Sequence, residues 1–189
     1  MLVTKVKEPF QALAWAYVAT MKPSKGELEW QGELSVGPGR ILLIFPQQYE
    51  LFLEAWRAVQ ETGVDDTRLV LFAPRPFLQA LKSKGREIRI PYEASEVGRT
   101  GLAKRKLLDR VKQVRTPVAL DLEERPSPLG AQVAVKSGAV VRASLADCPV
   151  PKVFNFVVRS PSSSGIGDRV ASLFAYLGFV DREAVTEAY

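Results

Sequence analysis

Asp121, Glu123 and Glu124 follow directly on the apolar run Val118-Ala119-Leu120. Carboxylates at the end of a buried strand can take a proton from a hydroxyl or hold a cation. The same residues have an ordinary reading, in which Asp121 caps a turn while Glu123 and Glu124 pair with Arg125 or water. A second polar group, Gln47 and Gln48, follows Pro46 after the run Ile41-Leu42-Leu43-Ile44-Phe45. Because ligands of parallel sheets bind at the carboxyl ends of strands, Gln47, Gln48, Asp121 and Glu123 together define a candidate polar cleft.

A third element, Ser162-Ser163-Ser164-Gly165-Ile166-Gly167-Asp168, lies between an apolar strand candidate and a helix candidate. Free amides at a helix start suit an anion, and glycines allow close approach. Ser163, Ser164, Gly165 and Gly167 are therefore candidate anion-binding residues. Against this, Asp168 would cap the helix and repel phosphate, and Ser/Gly loops are common turn material.

The charge distribution supplies the fourth. From Lys82 to Arg115 the chain carries eleven basic and four acidic residues, while its formal net charge is only +5. Arg99, Lys104, Arg105 and Lys106 are candidate anion ligands within this stretch. A nucleic acid, an acidic lipid headgroup or a phosphorylated glycan would each complement it. No base-stacking aromatics are interleaved and no nucleic-acid-binding signature is present, which weighs against nucleic acid. A solvated helix face is the ordinary meaning of such a pattern.

What is absent narrows the chemistry. There is no histidine and one cysteine, Cys148. Ser-His-Asp and Cys-His arrangements, disulfides within the chain and the usual zinc sites are thereby excluded. No Walker-type, GxGxxG or GxSxG element occurs. The residues assign no catalytic position, no cofactor and no metal ligand. With no apolar run of bilayer-spanning length and no secretory leader, the expected location is the cytoplasm.

The elements that must position these residues alternate regularly. Strands are expected at Ile41–Phe45, Arg68–Phe72, Glu87–Ile90, Pro117–Leu120, Ala139–Arg142 and Val153–Val158, each a short continuous apolar run. Helices are expected at Tyr49–Glu61, ending at Thr62-Gly63, and at Pro76–Ser83, Gly101–Val114, Leu129–Ser137 and Asp168–Leu177. This alternation predicts an α/β, Rossmann-like three-layer domain with a mainly parallel sheet of about six strands. Residues 39–189 form that domain. Residues 1–38 read as an appendage, with a helix over Pro9–Met21 and an extended arm or weak hairpin over Glu27–Val36. Asp181 is the expected cap of a short terminal helix. Trp15, Trp30 and Trp56 read as core or interface anchors.

In order and spacing, several segments resemble family 9 glycosyltransferases, the family that includes lipopolysaccharide heptosyltransferases. Arg40-Ile41-Leu42-Leu43-Ile44 is similar to that family's opening strand. Val118-Ala119-Leu120-Asp121-Leu122-Glu123-Glu124-Arg125 is similar to its hydrophobic-Asp-Leu strand and loop. Lys136-Ser137-Gly138-Ala139-Val140-Val141-Arg142-Ala143 resembles its Ala-x-x-Arg-x-Gly strand, and Phe154-Asn155 its Tyr-Asn segment. The likeness covers roughly residues 40–180 and implies a bacterial protein with one half of a two-domain enzyme, the acceptor side. The family's Gly-Asp after the first strand, whose Asp serves as base, is replaced here by Pro46, Gln47 and Gln48. The resemblance then implies a non-catalytic glycosyltransferase-like domain acting in binding or assembly, with a homodimer or another protein as partner and an anionic glycan as ligand. Two alternatives stand beside it: an acceptor-binding subunit working with a separate donor domain, and a basic protein associated with nucleic acid.

Overall fold

The structure, a computed structural model, describes residues 8–22, 39–82, 85–158 and 164–179. Its elements in chain order are α1 (Glu8–Ala19), β1 (Ile41–Ile44), α2 (Tyr49–Glu61), β2 (Leu69–Pro74), α3 (Arg75–Ala80), β3 (Ile88–Tyr92) and α4 (Arg105–Gln113). There follow β4 (Val118–Asp121), α5 (Pro128–Lys136), β5 (Val141–Ser144), β6 (Phe156–Val157) and α6 (Ile166–Tyr176). The strands form one sheet of order β3-β2-β1-β4-β5-β6, parallel at every pairing. The expected Rossmann-like three-layer domain is what forms, with a sheet that is wholly parallel.

β1 shows why. All four of its residues are buried, and their side chains alternate between two cores. Ile41 and Leu43 join α2, α3 and α6 on one face, while Leu42 and Ile44 join α1, α4 and α5 on the other. A strand covered on both sides needs no polar residue, and each such side chain contributes roughly 1.5–3 kcal/mol on burial. The α2 face adds an aromatic cluster. Phe45 meets Phe52 at 5.1 Å between ring centroids, and Phe52 meets Phe77 at 5.3 Å. Trp56 belongs to the same core.

Element boundaries moved where backbone geometry intervened. The helix expected from Gly101 begins at Arg105. Gly101 has φ +81° and closes a turn onto Gly98, and Val97 bridges to Ala103, so the chain is still turning there. The strand expected at Ala139–Arg142 runs from Val141 to Ser144, because Gly138 at φ +80° first ends α5. The expected strand Val153–Val158 shortens to Phe156–Val157. α3 ends at Ala80, and α2 stops at Thr62-Gly63 as its turn residues require. Asp168 is not a helix cap: Gly165 takes that position and Asp168 falls in the first turn of α6.

α1 packs on α5, with Ala14 and Val18 each 1% exposed. The arm at Glu27–Val36, Trp30, Ser163 and the helix expected from Asp181 lie outside the described residues. No helix among the described residues is long and apolar enough to cross a membrane.

Candidate functional site

The strand order reverses between β1 and β4, and the crevice at that reversal is where open α/β sheets take ligands. Ile44 of β1 and Asp121 of β4 sit side by side in register. The ladder continues one step past the strand ends, as Leu122 donates its N–H to the Ile44 carbonyl at 2.9 Å. This holds the β4 loop against the turn after β1. Gln47 then reaches across, donating from Nε2 to Glu123 Oε1 at 3.3 Å.

Asp121 is fully buried. Its Oδ1 accepts the Glu123 N–H at 3.2 Å, closing a local turn. Its Oδ2 has no hydrogen-bond partner among the described residues. Behind it stands the first turn of α5, whose cap Ser127 accepts the Gly130 N–H at 3.0 Å. Only a glycine fits there without a shift. A Cβ at position 130 would lie 2.8 Å from Asp121 Oδ2 and 3.2 Å from Cγ.

The electrostatics follow from this enclosure. Burial pushes the Asp121 carboxyl from its ordinary 3.8 up to about 7, opposed by the Glu123 N–H. Glu123 is raised well above the usual glutamate range by burial and by the Asp121 charge, with Gln47 and Ser127 acting the other way. Burial and the neighbouring charge thus both favour the protonated forms of this pair. Tyr92, stacked on Phe72 at 4.8 Å, is raised by burial and by Glu123, so its hydroxyl stays a donor. The Cys148 thiol is raised by burial, with a smaller push from Asp121, and is no activated nucleophile.

The sequence candidates thus divide. Gln47, Asp121 and Glu123 meet in one crevice, whereas Gln48 is exposed at the cap position of α2. Ser164, Gly165 and Gly167 lie at the start of α6. A Cβ at Gly165 would meet Glu54 Oε1 of α2 at 3.2 Å. With Asp168 in the first turn as well, that helix end already faces carboxylates of the chain itself. Arg99, Lys104, Arg105 and Lys106 are exposed on the loop and first turn leading into α4. Their loop is fixed by Gln132, a buried side chain of α5 whose Oε1 accepts the Ala103 N–H at 2.7 Å. Among the described residues no group of acids, Cys and His could hold a metal ion.

Two arginines carry roles that the sequence reading did not assign. Arg169 of α6 hydrogen-bonds the Leu145 carbonyl and comes within 4.0 Å of Glu124, tying α6 to the loops after β4 and β5. Arg142, buried in β5, donates to the Val153 and Ala139 carbonyls at 2.7 Å each. Asn155 completes that knot, accepting the Arg142 N–H at 2.8 Å and donating to Val140 O at 2.7 Å. An arginine inside the apolar run Val140-Val141-Arg142-Ala143 was the visible signal. Its partners were not, since carbonyl positions follow from the fold.

No protein-family model and no curated protein matches the sequence. Among solved structures, that of the glycosyl transferase family 9 protein from Veillonella parvula DSM 2008 is similar, with a TM-score of 0.58 over 76% of this chain at 12% identity. This chain spans 42% of that one. At such low identity the likeness concerns the backbone, and it agrees with the resemblance carried by the strand segments. The six-stranded parallel sheet with helices on both faces is a glycosyl transferase family 9-like fold, over less than half the length of that structure.

Proposed function

We propose that this chain is a glycosyltransferase-like binding domain without catalysis of its own, which holds hydroxyl groups of a glycan in the β1–β4 crevice. The observation that carries this is the buried Asp121 carboxyl, whose Oδ2 has no hydrogen-bond partner among the described residues and whose Oδ1 accepts from Glu123, the residue that Gln47 bonds. A buried polar atom without a partner costs free energy that a hydroxyl donor from a ligand would recover. Carboxyl groups on the floor favour neutral hydroxyls over phosphate at that point. The turn Pro46-Gln47-Gln48 carries no acid or base, which supports binding over transfer.

A second reading is an acceptor subunit that works with a separate donor domain. It is favoured by the Asp121 carboxyl, poised near neutrality as a general base would be.

Calorimetric titration tests the glycan site that both readings share, and its nucleotide-sugar arm tests catalysis by this chain alone. Neutral oligosaccharides are expected to give heat that Asp121→Ala abolishes, while UDP- and ADP-sugars give none. Tight binding of a nucleotide-sugar with transfer of its sugar would overturn the non-catalytic reading. If neutral oligosaccharides and nucleotide-sugars alike gave no heat, the crevice would not be a glycan site.

A further inference from the structure

Glu87, Glu96 and Glu124 each have an arginine beside them. Arg89 stands 2.6 Å from Glu87, Arg110 2.6 Å from Glu96, and Arg169 within 4.0 Å of Glu124. Asp121 and Glu123 differ. Among the described residues no lysine or arginine bears on either carboxyl. The lack is one of placement and not of supply, since the chain carries 26 Lys and Arg against 21 Asp and Glu.

The titratable groups that do face the pair are Tyr92, at the end of β3, and Cys148, in the loop after β5. Both are raised above their ordinary values and stay uncharged near neutrality, so neither balances a carboxylate. Asp121 is fully buried with Oδ2 unpartnered among the described residues, whereas Glu123 is half-buried, which leaves an edge for a ligand. An ammonium group there would supply a counter-charge to both acids and up to three hydrogen bonds of the strong, charge-assisted kind. A hydroxyl would leave the charge of the pair unbalanced, and a phosphate would be repelled.

We infer that the crevice takes an aminated glycan, whose free ammonium group bonds Glu123 with Asp121 beside it. This rests on the glycan-binding reading above and narrows its ligand to sugars that carry an unacylated amine. Below pH 7 the Asp121 carboxyl is mostly protonated, so uptake of the ammonium expels a proton to solvent, and a neutral sugar expels far less.

Calorimetry of the full chain at pH 6 with three tetrasaccharides tests this: deacetylated chitotetraose, its fully N-acetylated counterpart and cellotetraose. The aminated tetramer should bind at least about tenfold more tightly than the other two, because hydrogen bonds to charged groups exceed neutral ones by that factor. Its heat should also differ between MES and Bis-Tris buffers, whose ionisation enthalpies differ, as a released proton requires. Glu123→Gln should erase most of the preference, and Asp121→Asn the buffer dependence. The inference is overturned if all three tetramers bind alike, which leaves the glycan site standing, or if either variant behaves as the parent does. It is also overturned if spermidine binds as tightly as the aminated tetramer, because the site would then read an amine without a sugar. No heat from any tetramer would remove the glycan site and this inference with it.

Discussion

Replacing Asp121 by Asn should stabilise this protein far more at pH 8 than at pH 4.5, where only about 1 kcal/mol of the charge penalty has developed. The unfolded carboxyl titrates near 3.8 and the folded one near about 7. Below the lower value both states are protonated, and the neutral buried acid carries no charge penalty. Between the two values the unfolded chain has released a proton that the native state retains, so stability falls as pH rises. Above the upper value the loss is complete. At about 1.36 kcal/mol per pH unit, the separation corresponds to a loss on the order of 4 kcal/mol. Glu123, also raised, slopes the same way, and its own rise weakens once the neighbouring charge is gone.

The chain has no histidine, so the window from pH 5 to 8 is unusually quiet and the difference between parent and variant reports this pair. Thermal unfolding followed by circular dichroism at pH 4.5, 6, 7 and 8 provides the assay. At about 2–4 °C per kcal/mol for a chain of this size, the variant should gain roughly 10 °C on the parent by pH 8. Curves that stay parallel across the whole range would refute the reasoning, because Asp121 would then titrate alike in both states.

Gly130→Ala should destabilise by about 1–2 kcal/mol, the overpacking against the Asp121 carboxyl outweighing the helix propensity gained. In an Asp121→Ala background the same change should turn stabilising, by about 0.5–1 kcal/mol, and urea unfolding of the four proteins measures the reversal. Gln132→Leu leaves the Ala103 N–H without its 2.7 Å partner and should cost about 1–3 kcal/mol. Hydrogen exchange should then speed up across residues 97–104 and not in β4. Arg142→Lys cannot reproduce bonds from two guanidinium nitrogens to two carbonyls. It should lower the urea midpoint nearly as far as Arg142→Met does, and full retention of stability by the lysine variant would contradict the geometry.

The sheet was legible because a strand covered on both faces leaves a mark that composition alone can carry. Ile41–Phe45 and Val118–Leu120 are continuous apolar runs with no competing helical period. The ends of elements were less legible. Gly101 and Gly138 were visible as glycines, but their positive φ, which starts α4 late and delays β5, depends on packing of the neighbouring turns. In the crevice, three of the four polar residues singled out by strand-end position do meet. The fourth, Gln48, turns outward because the cap position of α2 fixes its backbone. Gly130 and Ser127 were missed for a plain reason: nothing local says that a helix beginning at Pro128 will bring its first turn against the end of the strand before it.

A buried carboxyl with an oxygen unpaired among the described residues is an expensive feature for a fold that does not need it. The sheet is complete without Asp121, since Val118, Ala119 and Leu120 already fill both faces of β4, and Asn occupies nearly the same volume without the charge. Helix α5 accommodates the acid at a further cost, accepting a glycine in its first turn where alanine would be the better helix former. Strain kept in this way is common where a ligand uses it, because the group that destabilises the empty fold is the one that the ligand satisfies. The stability gain of Asp121→Asn and any loss of glycan binding in Asp121→Ala are therefore two sides of one trade. A variant at position 121 that gains the full stability and also keeps glycan affinity would break that link and place the binding site elsewhere on the sheet.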